Sequence, residues 1–260
     1  MELVIRPAAE LAVLAADAVE AALGSRPDPV LGLATGSSPL AAYDELVRRH
    51  REAGLSFARC RAVTLDEYVG LPRDHPARYA NVIRRDLTSR VDLDDARVHG
   101  PDANADDLPA ACAAYERLID SLGGVDVQVL GIGSDGHIGF NEPGSSLGSL
   151  TRLKTLTGRT RADNARFFGD DPAAVPQHCL TQGLATISRA RHVVLLATGR
   201  GKAEAVHQLA EGPVSAMWPA SVLQLHPHVT ALVDDAAASR LRLADYYRDT
   251  YAAKPSWQGL

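Results

Sequence analysis

The feature that most constrains the fold is a regular alternation of short, apolar, β-rich runs with longer amphipathic stretches of helical period. Parallel strands need long crossovers, which are usually helices, so this order predicts an α/β fold: a Rossmann-like, open, mostly parallel sheet with helices on both faces. The predicted strands are Val30–Ala34, Cys60–Leu65, Arg97–His99, Asp126–Gly131, His192–Thr198 and Thr230–Val233. The predicted helices are Ala8–Leu23, Pro39–Ala53, Ala77–Thr88, Asp107–Leu122, Gln177–Ala190 and Lys202–Glu211.

One stretch breaks this alternation. Residues 132–177 are rich in Gly, Asp, Asn, Arg and Thr, and they far exceed the two to six residues of a usual βα loop. The stretch begins at the carboxyl end of a predicted strand, where open α/β sheets bind ligands. We therefore predict a lid-like excursion. Since the chain has no Ser/Gly linker, charge block or internal repeat, we expect a single domain over residues 1–260.

The charge balance argues against a polyanionic partner. The chain has 27 Lys and Arg against 32 Asp and Glu, a net charge of −5, so it has no basic field for nucleic acid. It has no apolar run of about 18 residues, and four acidic residues in the first 24 are unlike a signal peptide. We expect a cytoplasmic protein that binds a small molecule and no membrane. The three separated cysteines, with no CxxC pair, suggest neither a disulfide framework nor a zinc knuckle.

The first candidate site is the turn after the strand Val30–Ala34. Thr35, Gly36, Ser37 and Ser38 lie between that strand and a helix opened by Pro39. Free backbone N–H groups and serine hydroxyls there suit a phosphate, although the turn lacks the lysine and spacing of a P-loop. The alternative is a tight turn with a serine N-cap.

The second candidate is the adjacent pair Asp66 and Glu67, which follows the strand Cys60–Leu65. Successive side chains in extended backbone point to opposite sides, so only one carboxylate can easily face a crevice. The pair could bind a metal, act as a base or cap the next element.

The third candidate is the glycine-rich segment 131–143, which holds Asp135, His137 and Glu142. A carboxylate that hydrogen-bonds to a histidine fixes its tautomer and raises its basicity, as a proton-transfer histidine requires. The same side chains could ligate a metal, but no second cluster completes a shell. The segment also satisfies G-x-G-x-x-G, yet Pro143 and Gly144 interrupt the helix that a dinucleotide site needs.

Two cations are candidates for binding an anionic substrate. Arg166 lies in the predicted lid, and Lys202 follows the strand His192–Thr198. Each alone is typical of a solvated surface charge. Together with the Thr35–Ser38 turn they could clamp a phosphate group. The segment His226–His228 is interpreted as a turn into the last strand.

Four segments resemble one family in order and separation. Residues 65–72, 131–143, 151–157 and 223–227 are similar to the glucosamine/galactosamine-6-phosphate isomerase family, which includes glucosamine-6-phosphate deaminases. The resemblance implies conversion of glucosamine 6-phosphate and water into fructose 6-phosphate and ammonia, without a redox cofactor or metal. The lactonase and isomerase branches share only parts of the central motif. A sugar-phosphate lactonase or a non-catalytic sensor on the same fold remains the alternative.

The resemblance also implies roles for individual residues. Asp66 would be the base that moves a proton from carbon 2 to carbon 1, His137 would open the sugar ring, and Asp135 and Glu142 would orient His137. The implied phosphate site consists of Thr35, Gly36, Ser37, Ser38, Arg166 and Lys202, with Tyr79 lining the pocket.

Regulation and assembly are implied only for part of this family. Some bacterial members are hexamers activated by N-acetylglucosamine 6-phosphate, so a homo-oligomer is one expectation. The residues that match the effector site are Ser145, Arg152, Lys154 and Thr155. The chain departs from the family at Ser37, where a glycine is common, and this added Cβ restricts the phosphate turn.

Overall fold

The computed structural model describes all residues, 1–260, and contains ten strands and eight α-helices. The strands are β1 (Glu2–Ile5), β2 (Val30–Leu33), β3 (Arg61–Thr64), β4 (Asp66–Tyr68), β5 (Val98–His99), β6 (Val127–Gly131), β7 (Arg152–Thr155), β8 (His178–Thr181), β9 (His192–Ala197) and β10 (Val229–Val233). The helices are α1 (Ala8–Ser25), α2 (Leu40–Ala53), α3 (Tyr79–Asp86), α4 (Leu108–Ser121), α5 (Gly158–Asn164), α6 (Leu184–Ile187), α7 (Ala203–Ala210) and α8 (Ala244–Ala252).

Seven strands form one parallel sheet in the order β1-β10-β9-β6-β2-β3-β5, which confirms the predicted α/β architecture. The direction of strand order reverses between β2 and β6, which pair through Leu31 with Val127 and Gly32 with Gln128. Loops that leave the carboxyl ends of two such strands diverge and open a crevice. The loops after β2 and β6 carry two of the candidate sites, the Thr35–Ser38 turn and the glycine-rich segment 131–143.

Helices cover both faces of this sheet because neighbouring strand residues point to opposite sides. Leu31 and Val129 pack with α1, α2 and α3, whereas Val30 and Leu130 pack with α4, α6 and α7. Each helix contributes an apolar stripe and leaves its polar face to solvent. No helix combines the length and the apolar character needed to cross a bilayer.

A second, antiparallel sheet of order β4-β8-β7 lies outside the predicted pattern. The predicted helix Gln177–Ala190 is wrong over its first part, since His178–Thr181 is the central strand β8 and only Leu184–Ile187 is helical. A short, mixed run such as His178–Thr181 has no decisive period, and pairing with β4 and β7 decides its conformation. The sequence reading also missed β1 and α8.

The excursion at residues 132–177 is ordered rather than a bare loop. It contains β7, α5 and a 3₁₀ turn over 165–167. Leu156, Ala165 and Val175 from this lid pack against Tyr68 and Phe140 in a small hydrophobic cluster, separate from the two faces of the main sheet. The lid is thus anchored to the second sheet beside the crevice.

Candidate active site

A cavity of about 720 Å³ opens at the carboxyl ends of the parallel strands, where the strand order reverses. Its walls come from the loops after β2, β6 and β9, from β4 and α3, and from the lid. The cavity brings together ten of the residues singled out from the sequence: Thr35, Gly36, Ser37, Ser38, Asp66, Tyr79, Asp135, His137, Arg166 and Lys202.

The turn after β2 presents unused donors to this cavity. Gly36 has φ 99°, a conformation that side chains with a Cβ rarely adopt. The helix α2 has no side-chain N-cap, and neither Ser37 nor Ser38 uses its hydroxyl in a protein hydrogen bond. The serine-cap alternative is therefore wrong, and both hydroxyls remain available to an anion in the cavity.

Asp66 and Glu67 separate as the alternation of β4 requires. Asp66 is 6% exposed and lines the cavity, whereas Glu67 lies outside it. Burial and the neighbouring charge of Glu67 raise the pKa of Asp66 well above its ordinary value. A carboxylate with a raised pKa is a stronger base than an ordinary aspartate once it is ionised.

Asp135 and His137 form a hydrogen-bonded pair at the cavity wall. Nδ1 of His137 lies 2.6 Å from Oδ1 of Asp135, and this contact lowers the pKa of Asp135 to about 2. The ring packs directly over Gly133, where an added Cβ would lie 2.1 Å from Nδ1. The pair leaves Nε2 as the ring nitrogen free to exchange a proton with a ligand.

Glu142 contacts the lid helix, whereas the resemblance implied that it orients His137. It is buried and does not line the cavity, and its carboxylate accepts hydrogen bonds from the hydroxyls of Thr157, at 3.2 Å, and Thr160. Thr157 is the N-cap of α5 and also accepts from the Thr160 amide. In this structure Glu142 therefore fastens the first turn of the lid helix, because these two hydroxyls satisfy its oxygen.

The cationic wall of the cavity includes Arg166 and Lys202, and burial lowers the pKa of Lys202. It also includes two arginines that sequence reasoning missed. Arg85 pairs with Asp86 on α3, and Arg159 on α5 donates to the Ser134 hydroxyl at 3.4 Å. Their positions depend on how α3 and the lid pack, so no local motif could have indicated them.

The four residues of the implied effector site lie away from the cavity. Arg152, Lys154 and Thr155 belong to β7, and Ser145 is buried in the loop before it. The Ser145 hydroxyl and one terminal nitrogen of Arg152 are buried without a hydrogen-bond partner. Burial lowers the pKa of Arg152.

The segment His226–His228 forms the turn that precedes β10. His226 bonds through Nε2 to the Ala190 carbonyl at 2.7 Å, and its Nδ1 accepts from the His228 amide at 3.0 Å. Both ring nitrogens of His226 are therefore occupied by backbone groups, one within the turn and one at Ala190. No group of three or more His, Cys, Asp or Glu side chains is arranged to hold a metal ion.

Comparison with known proteins decides the family. The family model described as "Glucosamine-6-phosphate isomerases/6-phosphogluconolactonase" matches residues 6–232.

The chain belongs to the glucosamine-6-phosphate isomerase/6-phosphogluconolactonase family.

Two relatives with high identity share one name. The glucosamine-6-phosphate deaminases of Beutenbergia cavernae and Mycolicibacterium smegmatis are 67% and 65% identical to it, over the full length of both chains. The solved structure of a monomeric glucosamine-6-phosphate deaminase superposes on this chain with a TM-score of 0.89 at 44% identity. The match covers 92% of this chain and all of the other. The 6-phosphogluconolactonase of Trypanosoma brucei, at 23% identity and a TM-score of 0.73, shares the fold.

Proposed function

We propose that this chain is a glucosamine-6-phosphate deaminase, which converts glucosamine 6-phosphate and water into fructose 6-phosphate and ammonia. This reaction would serve the catabolism of N-acetylglucosamine. One observation carries the proposal: a single cavity holds a buried carboxylate, a carboxylate–histidine pair and a set of anion-binding groups. These groups match the three needs of the reaction, which are proton transfer between carbons, ring opening and retention of a phosphate. The full-length identity to deaminases supports the same assignment.

Ring opening would use the Asp135–His137 pair. The carbon 1 hydroxyl must lose its proton and the ring oxygen must gain one as the bond between carbon 1 and the ring oxygen breaks. His137 would carry this proton through Nε2, while Asp135 fixes the ring through Nδ1. The resemblance gave Glu142 the same orienting role, but the hydrogen bonds of Glu142 support a role in holding the lid.

Proton transfer between carbons 1 and 2 would use Asp66. The ionised carboxylate would remove the proton from carbon 2 while the carbon 1 oxygen takes a proton from the ammonium group on carbon 2, giving an enolamine, and would then return its own proton to carbon 1. The imine then present at carbon 2 would add water and release ammonia, which leaves the ketose. The burial of Asp66 supports this role, because a desolvated carboxylate binds the proton more tightly than an aspartate in water.

The phosphate would bind between the Thr35–Ser38 turn and two cations. The turn supplies N–H and hydroxyl donors at the start of α2, Arg166 supplies positive charge from the lid, and Lys202 supplies it from the segment after β9. This local charge would outweigh the net charge of −5 on the whole chain. Tyr79 would line the sugar between the phosphate and Asp66.

Several coarser properties follow from the same proposal. The chain would act as a single domain over residues 1–260, in the cytoplasm. The effector site of Ser145, Arg152, Lys154 and Thr155 stays a prediction, supported by the unpartnered Ser145 hydroxyl and Arg152 nitrogen. A homo-oligomer, a hexamer in some relatives, also stays a prediction. The solved relative at 44% identity is described as monomeric.

An ammonia-release assay on glucosamine 6-phosphate tests the proposal, with and without N-acetylglucosamine 6-phosphate. We expect release by the wild type and none by Asp66→Asn, which removes the base but keeps the shape of the side chain. Asp66→Asn should still bind the sugar phosphate in calorimetry. Asp106→Asn, an exposed site outside the cavity, is the matched control and should keep full activity.

Other outcomes of this assay favour the alternatives. Hydrolysis of a phosphogluconolactone without ammonia release from glucosamine 6-phosphate would indicate a lactonase. Binding of sugar phosphates without turnover of either substrate would indicate a sensor. Near-normal ammonia release by Asp66→Asn would reject the role assigned to Asp66. Sedimentation of the wild type with and without N-acetylglucosamine 6-phosphate decides the oligomeric state.

A further inference from the structure

Glu67 is the partner of Asp66 in the D-E pair, and the proposed chemistry does not use it. Its carboxylate is 3% exposed and lies outside the cavity. One oxygen accepts from the Tyr68 and Tyr79 amides, both at 3.0 Å, and the other accepts from the Ala80 amide at 3.0 Å. Burying a carboxylate costs desolvation free energy, which its three N–H donors must offset, so the arrangement needs a structural or functional reason.

The bonds of Glu67 fix the start of α3. The helix begins at Tyr79, and the residue before it, Arg78, gives no side-chain cap. Glu67 therefore caps the first two amides of α3 from a strand twelve residues earlier in the chain. Arg78 instead places its guanidinium against the carboxylate, with Nε 3.4 Å from an oxygen of Glu67, and its side chain is 11% exposed.

The start of α3 is also a wall of the cavity. Tyr79 lines it, stacks on Phe140 with ring centroids 6.0 Å apart, and donates its hydroxyl to that of Tyr68 at 3.2 Å. Asp66 and Glu67 lie next to each other in β4, which pairs with β8 through Asp66 with Thr181 and Glu67 with Leu180. The same short strand thus carries the proposed base towards the cavity and the helix cap away from it.

We propose that Glu67, held by Arg78, is a positioning residue for the reaction: it fixes Tyr79 and the start of α3 relative to Asp66, and its charge sets the electrostatic environment of the base. This inference rests on the proposed function of the cavity. It gives Glu67 and Arg78 opposite electrostatic effects on Asp66, because one is an anion and the other is a cation.

The other ionisable side chains that face Asp66 are uncharged at neutral pH, so they do not add to the electrostatic effect of Glu67 and Arg78. They are Tyr68 in β4, Tyr79 in α3, Tyr115 in α4 and Cys179 in β8, and burial raises the pKa of all four. Across the cavity the ionisable groups are Arg85, Asp86, Asp135, His137, Arg159, Asp163, Arg166 and Lys202. The charge of Glu67 itself contributes to the raised pKa of Asp66.

The test is the pH dependence of kcat/KM for ammonia release by wild type, Glu67→Gln and Arg78→Met. We expect KM to rise roughly tenfold in both variants, because Tyr79 is no longer held in place. The limb on which activity rises with pH should move to lower pH by about one unit in Glu67→Gln. In Arg78→Met the same limb should move to higher pH, since the charge of Glu67 loses its counter-ion.

Asp126→Asn is the matched control. Asp126 is another buried carboxylate, which accepts from the Val30 amide at 2.7 Å and pairs with Arg191 at 3.0 Å, at the amino ends of β2 and β6. It should lower the melting temperature and leave both KM and the limb unchanged. If Glu67→Gln does not fold, Arg78→Met reads the same limb. The inference alone is overturned if folded variants of Glu67 and Arg78 keep the wild-type KM and the wild-type pH dependence of kcat/KM. If the wild type releases no ammonia, the proposed function is overturned and this inference with it.

Discussion

Nδ1 of His137 and Oδ1 of Asp135 are held 2.6 Å apart by a loop that brings the imidazole onto the bare backbone of Gly133. The two residues are separated by a single glycine in the chain, so the contact is set by the conformation of this loop, which the Ala220 amide also holds through the Gly136 carbonyl at 2.8 Å. This relationship leaves Nε2 of His137 as the only ring nitrogen free to act on a ligand.

Asp135→Asn should lower kcat by about 10²- to 10⁴-fold, because the amide no longer fixes the tautomer and orientation of His137. Steady-state ammonia release measures the effect. Glu211→Gln is a matched control, since Glu211 contacts Nδ1 of His207 at 3.1 Å outside the cavity, and it should leave kcat unchanged. Equal losses in the two variants would contradict the prediction.

Gly133→Ala should produce a similar loss without replacing a titratable side chain. The added Cβ would lie 2.1 Å from Nδ1 of His137, so the ring or the loop must move. We expect kcat to fall by roughly 10²-fold, since a displacement of about 1 Å is enough for such a loss. Gly148→Ala meets no atom closer than 4.0 Å and should remain active in the same assay.

Asp66→Asn should increase the stability of the protein while it removes activity. The folded state keeps the Asp66 proton to higher pH than the unfolded chain, because burial and Glu67 raise its pKa. The free energy of unfolding of the wild type therefore falls as pH rises from about 4 through that raised pKa. Urea unfolding at pH 5 and pH 8 checks this: the variant should gain on the wild type at pH 8, by about 1.4 kcal/mol for each unit of pKa shift. A smaller difference at pH 8 than at pH 5 would contradict the sign.

Lys202→Met should raise KM for the sugar phosphate by roughly 10- to 100-fold and change kcat less, because the phosphate does not react. Inorganic phosphate should also become a weaker competitive inhibitor. Arg51→Met removes an exposed cation from α2, away from the cavity, and should change neither constant. Equal inhibition by phosphate in wild type and Lys202→Met would show that this lysine does not bind the anion.

Glu142→Gln should loosen the lid. Its carboxylate accepts from Thr157 and Thr160 at the start of α5, so the variant should expose α5 to faster amide hydrogen exchange. The double variant Thr157→Val, Thr160→Val removes the same bonds and should reproduce the change. If only Glu142→Gln changes kcat, and the lid exchanges normally in both, Glu142 acts on His137 and not on the lid.

Six of the seven strands of the central sheet were predicted, because the inner strands are buried on both faces and read as continuous apolar runs, as in His192–Ala197; the edge strand β1 was missed. The candidate residues at strand ends, such as Asp66 and the Thr35–Ser38 turn, followed from the rule that crevices form where strand order reverses. The second sheet was not predictable from local pattern. Its strands β4, β7 and β8 are three or four residues long and carry Asp66, Glu67, Arg152 and Lys154, so they are strands because they pair with one another.

Contacts within the site were also predictable only where they are local in the sequence. The partnership of Asp135 with His137 could be anticipated, since both lie in one glycine-rich loop. The bonds of Glu142 to Thr157 and Thr160 depend on where the lid packs, and the cap that Glu67 gives to α3 joins residues twelve positions apart. Such contacts are fixed by tertiary packing, which carries no local signature.

The hydrophobic cluster under the lid is separate from, and smaller than, the two hydrophobic layers that pack on the large sheet. Leu156, Ala165 and Val175 pack on Tyr68 and Phe140, and none of them belongs to the apolar layers on the faces of the large sheet. Besides the pairing of β7 with β8, this small cluster is what holds the lid, so we expect the lid to open as one cooperative unit while the large sheet stays folded. If substrate entry and ketose departure require that opening, its frequency would set an upper limit on kcat.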